Sequence, residues 1–389
     1  MIILPGMAAI WTALPEARVV GGAVRDWLAG RDVADVDFAA PLAPDVVMAR
    51  AAAAGLKAVP TGIAHGTVTL VAEGHGFEVT SLRCDVETDG RHAVVAFTDD
   101  WEEDAARRDF TINAMSAARD GSVYDYFGGR EDLAAGRVRF VGRAAARIEE
   151  DYLRILRFFR FFARYGRGAP DAEAVVAITA LRVGVNTLSA ERVWGEIKRI
   201  LMAPDPLPSV RLMVETGVLP LLLPDADVAR LAALVAAGAP VDPLLRVAAL
   251  WQGDVAGFAA RWRFSAAEAA RLGALMVPNH LRLEDDDAAL RRALADTPNE
   301  VLVDRIWLAG HAGPGWEALR ARLLHMARPV FPLQGRDLAV LGMKPGPEMG
   351  EALRAARAWW LEGGCVADAA SCLARVKVLV DGAGRAFGP

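Results

Sequence analysis

Hydrophobic periodicity changes character once along this 389-residue chain, near Ala145, and that change limits the architectures open to it. Before it, short runs follow the two-residue period of strands: Arg18–Val20, Val36–Ala39, Thr67–Ala72 and Phe77–Leu82. Helical stretches are interleaved with them. One follows Gly21-Gly22 as far as Ala29. A second lies after Pro44, capped by Asp45, and reaches Ala54. A third starts from Thr98 or Asp99, has acids in its first turn, and runs towards Met115. After Ala145 the strand pattern all but vanishes. Long Ala/Leu/Arg helices follow, punctuated by PDPLP at 204–208, LLPDAD at 222–227 and PVDP at 240–243. The expected fold class is α+β: a mixed β-sheet head with flanking helices, followed by an all-helical remainder.

Composition narrows the setting. Apolar residues make up 53% of the chain, enough for a sizeable core. No apolar run reaches the ~18 residues of a membrane span. The most apolar stretch, Leu212 to Trp251, is broken by Pro220, Pro224, Pro240 and Pro243. The opening MIILPGMAAIW has neither a basic leader nor a small-residue cleavage site, so no secretion signal is read. Cys84, Cys365 and Cys372 lack framework spacing, which fits a reducing, cytoplasmic compartment. The net charge of −5 argues weakly against a nucleic-acid partner. From Arg137 to Arg167, however, nine arginines stand against Glu149, Glu150 and Asp151. Such a stripe suits phosphate binding, although a solvated helix face would look the same.

Two short features carry chemistry. Asp35 and Asp37 flank Val36 on the expected strand, so their side chains share a face. Paired carboxylates repel and favour a shared divalent cation; magnesium suits such hard oxygen ligands and keeps positions for substrate phosphates. Surface acids in a turn read alike. Upstream, GGAVRDWLAG (21–30) places Gly21-Gly22 before a helix start, where backbone amides can meet a phosphate, with Arg25 one turn in. The carboxylates follow Gly22 by 13 to 15 residues, and the combination is more specific than either part.

With that combination, GGAVRDWLAG…DVDF resembles motif A of the class II tRNA nucleotidyltransferases and bacterial poly(A) polymerases, a family related in fold to DNA polymerase beta. The other motifs follow in order: RRDFTINAM (107–115), DYFGGREDL (125–133), EDYLRILRFFRFFARYG (150–166) and LSAERVWGEIKRIL (188–201) resemble motifs B to E. The resemblance spans about residues 15–205, and GRDLAVLGMKPGPEMGEAL (335–353) is similar to a C-terminal family segment.

The resemblance implies roles. Asp35 and Asp37 would hold Mg2+; Gly22 and Arg25 would bind the triphosphate. Glu78, in FEVTSL, is a candidate third catalytic carboxylate, or an ordinary strand residue. Arg108 would contact the nucleotide, with Asp109 and Asn113 organising the site. Pairing of Arg107 and Arg108 with Glu103 and Asp104 would explain the charges, but not the DFTIN that follows. Asp151, Arg154, Arg157 and Arg160 recur every third residue along one helix, while Leu153, Leu156, Phe159 and Phe162 provide an apolar stripe for the core. The family uses the matching Asp and Arg on the edge of the incoming base. A rigid donor fork beside an acceptor serves cytosine and adenine alike. An Asp151–Arg154 ion pair on a solvated face is the plainer alternative. Arg157 and Arg160 would reach triphosphate or ribose. The turn-rich segment Arg83–Asp100, containing DVETDG, matches a mobile loop used in switching from C to A, or a simple hairpin. His65, in TGIAHGTVTL, lies in a stretch that resembles the CCA-adding branch and is given no ligand role.

The resemblance therefore implies a catalytic head at 1–140, a nucleotide-selecting neck at 141–208, and a tRNA-binding body and tail at 209–389. The implied reaction adds CMP and AMP from CTP and ATP to the 3′ acceptor end of tRNA; no membrane or protein partner is implied. A poly(A) polymerase, a partial CC- or A-adding enzyme, and an inactive RNA-binding module are the alternatives.

Overall fold

Seven strands form one mixed sheet in the computed structural model of the chain, in the order β3 (Lys57–Gly62), β4 (Thr67–Ala72), β5 (His75–Ser81), β2 (Asp37–Ala40), β1 (Arg18–Val20), β8 (Ser116–Ala117) and β9 (Val123–Tyr124). Residues 4–33, 35–63, 66–89 and 92–386 are described, with side chains described outside 85–95 and 380–386. β2 and β5 run parallel; the other neighbours are antiparallel. Alternation decides which face packs. Val68, Leu70 and Ala72 of β4 are buried, and fully buried Phe38 on β2 lies edge-on to Trp11 at 5.4 Å and Phe77 at 5.9 Å.

Some boundaries differ from the expected ones. The helix after Pro44 starts at the proline itself, with Ala43 in the cap position; Asp45 sits inside the first turn, where its charge favours the dipole. The helix expected from Thr98 or Asp99 to Met115 is capped by Asp100 and stops at Ala106. Tertiary pairing ends it. Phe110 bridges to Phe140, the Thr111 amide donates to the Arg139 carbonyl at 3.0 Å, and the Val141 amide to the Asp109 carbonyl at 3.1 Å. The Arg83–Asp100 segment contains a hairpin of β6 (Arg83–Asp89) and β7 (His92–Phe97), paired from Arg83↔Phe97 to Asp89↔His92. Gly90 and His65 lie outside the described residues.

Beyond Tyr124 the described residues form helices and loops. The helix Leu153–Tyr165 buries more than the expected stripe, because Ile155, Phe158 and Phe161 are buried too. Phe158 stacks on Phe140 at 6.0 Å and on Phe162 at 6.0 Å, while Phe161 meets Phe110 at 5.2 Å. These aromatics fasten the helix to the 109–141 segment, leaving its arginines on the remaining face. The chain divides into two compact units, Met1–Ala226 and Asp227–Pro389. The second is helical among its described residues, with one core around Leu290, Leu302, Ile306 and Leu323 and another around Leu338, Trp360 and Cys372. Among the described residues, no helix is long and apolar enough to cross a membrane.

Candidate active site

β2 places Asp37 beside the glycine turn; the strand starts at that residue and not at Val36, so Asp35 lies two residues before it. Val36 and Phe38 point into the core, so Asp35 and Asp37 lie on the opposite, exposed face. Asp37 is registered with Val20, the residue before Gly21. On the other side, Phe38 pairs with Val79, so Glu78 accompanies Asp37 on the same face. The carboxyl of Asp37 reaches water, yet its pKa is raised. Partial burial contributes most, then the charges of Glu78 and Asp35; Arg108 pulls the other way.

Mutual repulsion of this kind is what a divalent cation relieves. Among the described residues, no group of three or more His, Cys, Asp or Glu is arranged to hold a metal ion. Asp37 at the strand start, with Asp35 just before it and Glu78 on the neighbouring strand, instead fits a cation that takes its remaining oxygens from phosphate and water.

Next to these strands lies a cavity of about 500 Å3. Gly22, Arg25, Arg108, Asp109, Asn113, Asp151, Arg154, Arg157 and Arg160 all line it, together with Gly21, Leu153, Phe161 and Arg192. Asp35, Asp37 and Glu78 are not among the lining residues. Arg108 links the two groups, since it lines the cavity while its charge acts on Asp37. Gly21 has φ +65°, and a Cβ there would lie 3.0 Å from Arg108 Nη1, so glycine suits this turn. No side chain caps the helix Gly22–Leu28 that follows.

A hydrogen-bonded chain crosses the cavity wall. Buried Arg25 donates to Asn113 Oδ1 at 2.5 Å and pairs with Asp26 at 3.0 Å. The Asn113 amide donates to Asp109 Oδ1 at 3.0 Å, and Arg157 pairs with Asp109 Oδ2 at 2.6 Å. Burial by itself would raise the Asp109 pKa. The Arg157 charge, the Asn113 and Arg157 hydrogen bonds and the Phe110 amide outweigh burial and hold it below the usual carboxylate range.

Partners on the arginine face differ from local expectation. Arg154 pairs with Glu150, not Asp151, and also donates to the Arg147 carbonyl at 2.9 Å. Asp151 instead accepts from Arg192 at 2.7 Å and from the Leu153 amide at 3.0 Å. Arg160 pairs at 2.8 Å with Glu196, a nearly fully buried carboxylate. Burial lowers the Arg160 pKa to about 10, with Glu196 opposing and Arg157 and Arg199 assisting. Arg107 and Arg108 share Asp104, at 2.8 and 3.2 Å, whereas Glu103 accepts from the Thr98 hydroxyl at 2.7 Å.

Arg192, Glu196 and Glu150 were not singled out in the sequence. Arg192 and Glu196 sit one turn apart on the helix Ala190–Leu201, far in sequence from Asp151 and Arg160. Glu196, on a face otherwise formed by Val193, Trp194, Ile197 and Ile200, was the available signal: a buried acid needs a partner.

Comparison with known proteins agrees with this geometry. The family model described as Poly A polymerase head domain matches residues 17–139, and the one described as probable RNA and SrmB-binding site of polymerase A matches 169–230. The chain is 38% identical over 365 residues to the mitochondrial CCA tRNA nucleotidyltransferase 1 of Danio rerio, covering 89% of this chain and 83% of that protein. It is 32% identical over 382 residues to the CCA-adding enzyme of Geobacillus stearothermophilus, covering 87% of each. The crystal structure of the Bacillus stearothermophilus CCA-adding enzyme in complex with CTP superposes with a TM-score of 0.77 at 26% identity, over 98% of this chain and 100% of that one.

Proposed function

The chain belongs to the CCA-adding tRNA nucleotidyltransferase family, and from that premise we propose that it adds CMP and AMP, from CTP and ATP, to the 3′ end of tRNA, building or repairing the CCA terminus. The observation that carries this reading is one wall: a glycine turn, a row of arginines, and Asp151 beside Arg154, lining one cavity next to the strand start that carries Asp37, with Asp35 just before it. The tRNA 3′ hydroxyl attacks the α-phosphorus and a new P–O bond forms. The α–β bridging P–O bond breaks, pyrophosphate leaves, and the hydroxyl proton passes to water.

The family's divalent cation, which we take to be magnesium, would be held by Asp35 and Asp37 with Glu78 in support, and supplies charge neutralisation to the transfer. Gly22, Arg25, Arg108, Arg157 and Arg160 bind triphosphate and ribose. Asp109 and Asn113 position Arg157 and Arg25 through the hydrogen bonds already described. Arg154 and Asp151 read the base edge, and Arg192 orients Asp151. The catalytic head is assigned to 1–140, nucleotide selection to 141–208, and tRNA binding to 209–389. A match over 169–230 to a model described as RNA-binding supports RNA contact extending into that last region. The free thiols of Cys84, Cys365 and Cys372 suit a reducing, cytoplasmic compartment, which cell fractionation checks.

Incubation with tRNA lacking its last three nucleotides, magnesium, CTP and ATP should yield tRNA ending in CCA and no longer product. Long A-tails would assign the chain to poly(A) synthesis; a product stopping at CC, or requiring a CC end, would make it a partial enzyme.

A further inference from the structure

The arginine stripe from Arg137 to Arg167 divides on folding. Arg137 and Arg139 pair with Asp132, Arg147 and Arg154 with Glu150, Arg157 with Asp109, and Arg160 with Glu196. Apart from Arg143, which precedes the helix Ala144–Glu150, the stripe's arginines without a carboxylate partner among the described residues are Arg164 and Arg167, around the end of the helix Leu153–Tyr165. They line a second cavity of about 490 Å3, to which Arg31 and Arg130 also contribute, and no acidic side chain lines it. All four arginines are exposed.

Two of these guanidinium groups are held by carbonyls. Arg31 donates to the Arg164 carbonyl at 2.6 Å, and Arg167 to those of Leu133 at 3.2 Å and Ala134 at 2.6 Å. Such bonds hold position without cancelling charge. Arg31 also lies 4.7 Å over the ring of buried Tyr165. Four like charges around one cavity repel unless an anion joins them.

We propose that this second cavity holds phosphate groups of the RNA backbone, apart from the nucleotide cavity; the inference rests on the tRNA reading above. Exposed guanidinium groups suit a polyanion, which releases bound counterions on contact, better than a small anion that must be stripped of water. The placement also serves the reaction. One rigid helix carries Arg157 to the first cavity and Arg164 to the second, about 10 Å apart along its axis. The Tyr165 hydroxyl donates to Asp26, which pairs with Arg25 on the nucleotide wall. A phosphate bound here would anchor the RNA close to the nucleotide wall.

The test uses the full chain with Arg130→Ala and Arg164→Ala combined, measuring tRNA affinity across a range of salt, CTP affinity, and nucleotide addition at saturating tRNA. The tRNA Kd is expected to rise about 10-fold at low salt, and the log–log salt slope to shrink by about 0.7–0.9 per lost contact. CTP affinity and the saturated rate should stay within about twofold, because neither arginine lines the nucleotide cavity. The Arg130→Lys, Arg164→Lys chain should retain most of the affinity. Unchanged tRNA affinity and slope in the alanine chain would overturn the proposal. So would protection of the wild type, but not the alanine chain, by inorganic tripolyphosphate with tRNA binding equal in both, which would identify a small phosphate as occupant. A wild type that shows the salt effects yet adds no nucleotide would sink the transferase reading while supporting this site.

Discussion

Ionised Asp37 is costly in the metal-free protein. Its folded pKa is raised by partial burial, then by Glu78 and Asp35. A carboxyl raised in this way adds stability while protonated, and that stability is lost as pH rises through the folded value. At about pH 7.5 the metal-free protein therefore carries the repulsion, so Asp37→Asn should raise its stability slightly. About 0.5 kcal/mol is expected, because water screens this exposed group. Nucleotide addition should meanwhile fall by at least about 10³-fold, through loss of several kcal/mol of charge stabilisation. Magnesium should raise the wild-type melting temperature more at about pH 7.5 than at about pH 5, where protons compete for Asp37. Thermal unfolding with and without magnesium checks this; a shift that is pH-independent, or retained in Asp37→Asn, would remove Asp37 from the metal site.

On the proposed reading, base choice is also decided by single residues. Asp151 is held by Arg192 and by its own helix start, while Arg154 is held by Glu150, so both enter the cavity prearranged. Cytosine and adenine offer an acceptor beside an amino donor; uracil and guanine reverse the pattern. A buried unsatisfied group costs about 1–3 kcal/mol. Arg154→Ala should therefore weaken CTP and ATP use and relax rejection of UTP and GTP by about 10- to 100-fold, with Asp151→Ala acting in the same direction. Competition assays with all four nucleotides measure it. Preserved selectivity in both variants would move base reading elsewhere, most plainly towards Arg108.

Among the elements, the β6–β7 hairpin stands outside the seven-stranded sheet. It forms a two-stranded sheet of its own, joined to the main sheet through Leu82, whose amide donates to the Ala40 carbonyl at 3.0 Å and whose carbonyl accepts from the Thr98 amide at 3.0 Å. Isolated hairpins of this size are marginal in water. Replacing 85–90 by a short Gly/Ser linker should spare CC addition and reduce the final A addition by about 10-fold or more, the cost of a lost positioning element. Gel resolution of the CC and CCA products distinguishes this from equal loss of both, which would make the hairpin purely structural. The helix Leu153–Tyr165 behaves oppositely. Its aromatics Phe158, Phe159, Phe161, Phe162 and Tyr165 are all buried, so Phe158→Ala, at a fully buried position, should cost about 3–5 kcal/mol in denaturant unfolding.

At the scale of the whole molecule, the proposed catalytic groups and both basic cavities lie within Met1–Ala226. That unit has its own core and sheet, so a chain ending at Ala226 should fold and bind CTP within about threefold of wild type, while tRNA affinity drops at least 10-fold with the loss of most of the assigned tRNA-binding region. Equal tRNA affinity in both chains would remove RNA binding from 227–389.

Much of this was legible before folding. Residue alternation determined that exposed Asp37 stands opposite buried Phe38, and exposed Asp35 with buried Val36 continue the pattern just ahead of the strand, because the period of two belongs to extended backbone. The spacing of three along Arg154, Arg157 and Arg160 determined a charged stripe on a helix, and the change of period near Ala145 determined an α+β head with a helical remainder. Those are local rules, set by backbone geometry that every chain shares. Partnership was not local. Only the tertiary structure decided that Arg154 takes Glu150, that Asp151 takes Arg192 and that Arg157 takes buried Asp109. Only it ended the Asp100-capped helix at Ala106, by giving the backbone beyond it to Phe140 and Val141. A guanidinium fork reaches a carboxylate many residues away as readily as one a turn along its helix. Its choice follows from which acids burial leaves in need of charge, and burial is a property of the assembled fold.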